Sequence, residues 1–180
     1  MPRRCYLFID VQKYFFDCPP FPELVLPAKD TYGPRWEQLL RTARSHTSDT
    51  FIAHVQHAGD EGDVDAYGAP LWELQFEPLE GEMRLYKAIP SVFDVDRSPL
   101  PPLAEELRTK GVQEVVIAGC QSEHCVRAAA LSSIREGFKT VLLSGAHGTT
   151  TEEHQRISDD IDRETKAAGG EIAKWDEYKW

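Results

Sequence analysis

The chain predicts an α/β fold, a three-layer α/β/α sandwich around a mainly parallel six-stranded sheet, and three observations carry that expectation. Six short runs rich in β-branched and aromatic residues recur: CYLFID, TFIAHVQH, RLYKA, EVVIAGC, KTVLLSG and EIAK. Helical or loop segments separate them, which is the rhythm of strands joined by crossover helices on both faces of a parallel sheet. With 180 residues, 41% of them hydrophobic, the chain can bury a sizeable core and reads as one domain spanning 1–180.

The elements follow in order. CYLFID opens the sheet. DCPPFPELVLPAKDTYGP, residues 17–34 with five prolines, reads as a long loop, and residues 34–46 as the first helix. After TFIAHVQH comes a second long loop, AGDEGDVDAYGAPLWELQFEPLEGE, residues 58–82, rich in glycine and acid. Long ordered loops beside strand ends shape sites, so pocket walls are expected in both. Beyond RLYKA, residues 101–110 predict a helix opened by Pro101-Pro102 and closed by Gly111. EVVIAGC leads into a helix over 123–136, with Ser122 as N-cap and Gly137 at the stop. KTVLLSG is followed by a helix over 151–168 whose apolar stripe is Ile157, Ile161 and Ala168. EIAK ends the sheet. The tail leaves Trp175, Tyr178 and Trp180 as exposed aromatics that cover an edge or dock on a second subunit.

A net charge of -10 and a pI near 5.0 exclude the basic footprint of a nucleic-acid binder and disfavour an anionic membrane surface. No apolar stretch approaches the roughly 20 residues of a transmembrane helix. The opening MPRRCYLFIDVQ breaks at Asp10 instead of forming a signal sequence, so a cytoplasmic location is expected. In that compartment Cys5, Cys18, Cys120 and Cys125 would all be free thiols.

In open parallel sheets ligands bind beyond the carboxyl ends of the strands. Reactive types stand at three such ends: Asp10 after the first strand, Lys87 after the third, and AGCQSEHC after the fourth. Cys120, inside or at the tip of its strand, reads as a small buried hydrophobe. Cys125, on the first turn of the next helix, meets unpaired N–H groups and the positive end of the helix dipole. Those favour a thiolate. Lowering a thiol pKa from about 8.5 to about 6 corresponds to roughly 3 kcal/mol, and Lys87 could supply part of it. The same N–H groups could hold an oxyanion, commonly at about 3 to 4 kcal/mol per donor. Each residue also has an ordinary reading: Cys125 as packing, Asp10 as a turn cap, Lys87 as a snorkelling surface side chain.

No metal site is expected. His54 and His57 fall on opposite faces of a strand, His147 stands alone, and the Asp60, Asp63 and Asp65 loop lacks the closing bidentate Glu of a calcium site. Gly-rich phosphate loops are absent, and no cofactor is expected.

LFIDVQKYFF, YKAIPSVF and VVIAGCQSEHCVRAAALSSIREGF, taken in that order, resemble the motifs of the isochorismatase-like cysteine hydrolases, over roughly residues 4–150. The resemblance implies a Rossmann-like fold and an Asp10, Lys87, Cys125 triad. In it Cys125 is the nucleophile, Asp10 the general base, and Lys87 the group that favours the thiolate. It also implies a cis peptide before Gln121, whose N–H joins that of Cys125 as an oxyanion hole, and a substrate pocket lined by Phe16, Phe93 and Trp72. The expected activity is hydrolysis of a C–N bond, amide or ureido, in a small molecule through a thioester, without a cofactor. A catalytically silent member that binds a metabolite or protein partner is the alternative, and isochorismate vinyl-ether hydrolysis a third. A homo-oligomer, dimer or tetramer, is implied as well. The sequence departs from the family pattern at Gly145, where an Asp often stands, and at VQHAGDEGD, which lacks the Asp-x-His of the nicotinamidase metal site.

Overall fold

The computed structural model describes residues 3–46, 48–94 and 102–178. Among them six strands form one sheet: β1 (Arg3–Ile9), β2 (Thr50–His57), β3 (Met83–Lys87), β4 (Val112–Cys120), β5 (Lys139–Gly148) and β6 (Glu171–Lys174). Their order is β3-β2-β1-β4-β5-β6, and every pairing is parallel. Four α-helices cover it: α1 (Lys29–Ser45), α2 (Leu103–Thr109), α3 (Arg127–Arg135) and α4 (His154–Ala167). None of the described helices is long and apolar enough to cross a membrane.

Strand periodicity explains the layers. Cys5, Leu7 and Ile9 of β1 join a core built with α2, α3 and α4, whereas Tyr6 and Phe8 join one built with α1. Both faces are covered, so the strands are apolar on both sides. At the centre β1 and β4 touch through main chain: a Cβ on Gly119, whose φ is +128°, would lie 2.0 Å from the Ile9 carbonyl oxygen.

The helices differ from expectation in instructive ways. α1 starts at Lys29 and carries Pro34 inside it, so the end of the proline-rich stretch is helical and not loop. The reason is a buried stripe, Tyr32, Trp36, Leu39, Leu40 and Ala43, that continues across the proline. Pro102 takes the N-cap position of α2, while Pro101 lies outside the described residues. The helix expected over 123–136 divides into one turn of π-helix, Ser122–Val126, and α3. Ser122 does not cap it. Its Oγ instead meets His147 Nδ1 at 2.9 Å and Ser158 Oγ at 3.2 Å, tying the turn to β5 and α4. On α4 the buried face runs through Ser158, Ile161 and Thr165; Ala168, past the helix end, is exposed.

The tail aromatics turn inward. Trp175 lies under the Arg35 guanidinium, and Tyr178 packs edge-on against Tyr6 with its hydroxyl on Glu114. Both are partly buried against the core on the α1 side of the sheet, as edge cover would be; Trp180 lies outside the described residues. Trp175 also accounts for Gly145, since a Cβ there would meet its Cδ1 at 3.0 Å and the backbone φ is +78°. Arg35 Nη1 donates to the Gly145 carbonyl at 2.6 Å, so a side chain here would be strained by the backbone conformation and crowded by Trp175 and Arg35.

The long loop over 58–82 is anchored at its end by Glu82. Its carboxylate accepts from Arg44 Nε at 2.7 Å, His54 Nε2 at 2.8 Å and the Leu79 N–H at 2.9 Å. Burial opposes its charge, but Arg44, the Leu79 N–H and His54 together hold its pKa down to about 2. A depressed carboxylate contributes stability above its unfolded pKa of about 4.3 and loses it as pH falls through the folded value. Thermal melts should therefore show Tm falling between pH 4.5 and 2.5, and Glu82→Gln should shrink that fall. At pH 7 the substitution should cost about 1 to 3 kcal/mol; an unchanged acid limb would count against the network.

Candidate active site

Three strand ends deliver the reactive groups. Asp10 directly follows β1, Lys87 is the last residue of β3, and Cys125 sits on the π-turn after β4. Lys87 Nζ donates to Asp10 Oδ2 at 2.9 Å and lies 3.2 Å from Cys125 Sγ. Lys87 is 2% exposed, so it is no surface side chain. Asp10 adopts φ +49°, a left-handed conformation rare outside glycine, as its N–H donates to the Val55 carbonyl at 2.9 Å. That bend turns the chain across the top of the sheet. Asp10 Oδ1 is buried without a hydrogen-bond partner.

Cys120 is fully buried, its thiol donating to the Asp10 carbonyl at 3.3 Å, and burial raises its pKa. Cys125 faces the cleft. Contrary to the expected thiolate, its thiol is pushed up to about 12, first by burial and then by the Asp10 carboxylate, with Lys87 lowering it only in part. Lys87 in turn stays charged, because Asp10 and Cys125 outweigh the burial that would neutralise it. The site therefore pairs Asp10 with Lys87 beside a thiol whose ionisation burial and the carboxylate oppose. The Cys120–Gln121 peptide is cis.

A cavity of about 460 Å³ opens onto Asp10, Gln121 and Cys125. Its walls differ from those expected. Phe16, Trp72 and Phe93 are not among the described residues that line it. The 3₁₀ turn Lys13–Phe15 presents Tyr14 and Phe15 to the cavity and sends Phe16 against Trp36. Phe93 packs into the core beside Phe138. Trp72 contributes its carbonyl, which accepts from Gln12 Nε2 at 2.8 Å and Gln56 Nε2 at 2.9 Å, while its ring packs on Tyr67. The two long loops do supply walls, through Leu24 and Asp65. His57, at the end of β2, and His124 complete the polar lining; the strand-end rule that singles out Asp10 and Lys87 applies equally to His57. No group of three or more His, Cys, Asp or Glu is placed to hold a metal ion among the described residues.

An all-parallel sheet under two helical layers, with thiol, carboxylate and ammonium gathered at its carboxyl edge beside a cleft, defines an α/β domain of the isochorismatase-like hydrolase fold. The chain belongs to the isochorismatase family: the Isochorismatase domain model matches residues 4–176. It is similar to streptothricin hydrolase of Streptomyces noursei, 31% identical over 151 residues that cover 82% of this chain and 55% of that protein. Maleamate amidohydrolase of Pseudomonas putida is 35% identical over 86 residues, 47% of this chain and 38% of that protein. The chain thus spans about half or less of the length of these two relatives. The crystal structure of an isochorismatase-like hydrolase from Alkaliphilus metalliredigens superposes with a TM-score of 0.83 at 22% identity, covering 98% of this chain and 94% of that one.

Proposed function

We propose that the protein is a cysteine-dependent hydrolase that cleaves a C–N bond, amide or ureido, in a small molecule through a thioester, with Asp10, Lys87 and Cys125 as its catalytic residues. The observation that carries this reading is Lys87 within 2.9 Å of Asp10 Oδ2 and 3.2 Å of Cys125 Sγ at the wall of the cavity. Because the resting thiol is protonated, its proton must leave as sulfur attacks, and Asp10, with its unpartnered Oδ1, is the base at hand. Sulfur bonds to the carbonyl carbon, and the oxyanion is held by the Gln121 and Cys125 amides. Asp10 then passes the proton to the departing amine, the C–N bond breaks and a thioester remains. Water, deprotonated by Asp10, attacks that thioester; the acid leaves and the thiol regains its proton. Lys87 stays charged throughout and lowers the cost of the sulfur anion. The amidohydrolase relatives support an amide-type substrate.

The experiment is to incubate the protein with a panel of small amides and ureides, follow ammonia release, and map acid-quenched adducts by mass spectrometry. An acyl adduct on the peptide carrying Cys125, absent in Cys125→Ala, is expected. Ammonia release that survives in Cys125→Ala would overturn the scheme. A catalytically silent binder is the second reading, favoured by a thiol pKa as high as that of buried Cys5, which is also pushed up to about 12. It predicts no ammonia, and Cys125 alkylation by iodoacetamide no faster than that of Cys5 or Cys18. Pyruvate released from isochorismate would instead indicate ether hydrolysis.

A further inference from the structure

His57 lines the cavity without any part in the scheme above, and three separate contacts hold it there. It is the ladder partner of Lys87 between β2 and β3, and paired residues of parallel strands project from the same face. Its backbone is clamped by the buried Gln12, whose Oε1 accepts from the His57 N–H at 2.7 Å while Nε2 donates to the His57 carbonyl at 3.0 Å. Its ring is fixed by Asp65, whose Oδ2 lies 2.8 Å from His57 Nδ1. The loop that brings Asp65 back is tightly wound: Gly59 N–H donates to the Asp65 carbonyl at 3.0 Å, and a Cβ on Gly59 would lie 2.3 Å from Asp65 Oδ1.

A carboxylate on Nδ1 selects the tautomer with the proton there, which leaves Nε2 as a lone-pair acceptor. Among the described residues Nε2 has no protein partner, and the side chain is 31% exposed at the cavity. Asp65 is engaged by His57 and Asp10 Oδ2 by Lys87, so beside Asp10 Oδ1, which the scheme uses as the base, His57 Nε2 is an oriented acceptor on a wall that also carries apolar groups such as Phe15, Leu24 and Pro90. We propose that His57, aligned by Asp65 and Gln12, is the specificity-determining residue of the cleft and accepts a hydrogen bond from an N–H or O–H group of the substrate. The substrate class is then small amides and ureides that carry such a donor close to the scissile carbonyl. This inference rests on the reading of the cleft as the hydrolytic site.

The test uses N-carbamoylglycine, with an N–H beside the carbonyl, and its near-isostere succinamate, with a CH₂ there. His57→Phe keeps a ring and removes the acceptor. We expect kcat/KM for N-carbamoylglycine to fall about tenfold or more, chiefly through KM, and that for succinamate to change by less than about threefold. Asp65→Asn should give a smaller loss in the same direction. Calorimetric titration of both compounds into Cys125→Ala, with and without His57→Phe, reads the same discrimination without turnover. An equal fall for both compounds, no fall for either, or no binding of either would overturn the inference. Binding discrimination that depends on His57, in a wild-type protein that hydrolyses neither compound, would sustain it while overturning the hydrolase reading.

Discussion

Asp10→Asn should lower turnover by about 10²- to 10⁴-fold, the usual range for loss of a positioned general base, while making Cys125 more reactive toward iodoacetamide. The two effects run in opposite directions for one electrostatic reason. Asp10 raises the Cys125 thiol pKa and simultaneously neutralises Lys87. With the neutral Asn the repulsion vanishes and the Lys87 charge acts on sulfur alone, so the thiol acidifies and alkylates faster at pH 7 to 8. The proton that must be carried to the leaving amine, however, has lost its carrier. Initial alkylation rates and ammonia-release rates on the same preparation check both halves. Alkylation slowed along with turnover would mean that Asp10 acts by holding the site together and not as a base.

Lys87→Met should destabilise the fold by about 3 to 5 kcal/mol, because it strands a buried carboxylate without its cation. Asp10 and Lys87 are 1% and 2% exposed, so water cannot replace the missing partner. Urea unfolding measures the loss. Asp10→Asn/Lys87→Met should then be more stable than Lys87→Met alone, since neither charge is left in the interior. A double variant no more stable than the single one would show that the lysine stem, and not its charge, supports the fold. In Lys87→Met the thiol also loses a neighbour that lowers its pKa, so alkylation slows.

The sheet is legible in the sequence because its central strands, β1, β2, β4 and β5, are buried on both sides, which writes an apolar run into the chain whatever the neighbouring loops do. Asp10 and Lys87 are legible for a related reason: a charged residue that ends such a run must emerge at the sheet edge. Helix starts are less so, since Pro34 reads as a boundary locally while the Tyr32 to Ala43 stripe overrides it through tertiary packing. The Cys125 thiol shows the limit of local electrostatics. Its sequence neighbours suggest an acidic thiol, but burial and a carboxylate from a distant segment decide the outcome. Cavity walls are hardest, because one turn of 3₁₀ helix swaps Phe16 for Tyr14 and Phe15 without changing any pattern a reader could detect.

The bare contact between Gly119 and the Ile9 carbonyl bears on how this scaffold tolerates redesign. Asp10 follows Ile9 by one residue, and the turn that carries Cys125 begins three residues after Gly119. The spacing of the two strands that carry base and nucleophile is therefore gauged by peptide against peptide, with no side chain at that contact to swell or shrink. An engineer could exchange much of the aliphatic filling on either face and leave that gauge untouched, whereas a single methyl group at Gly119 would wedge it apart.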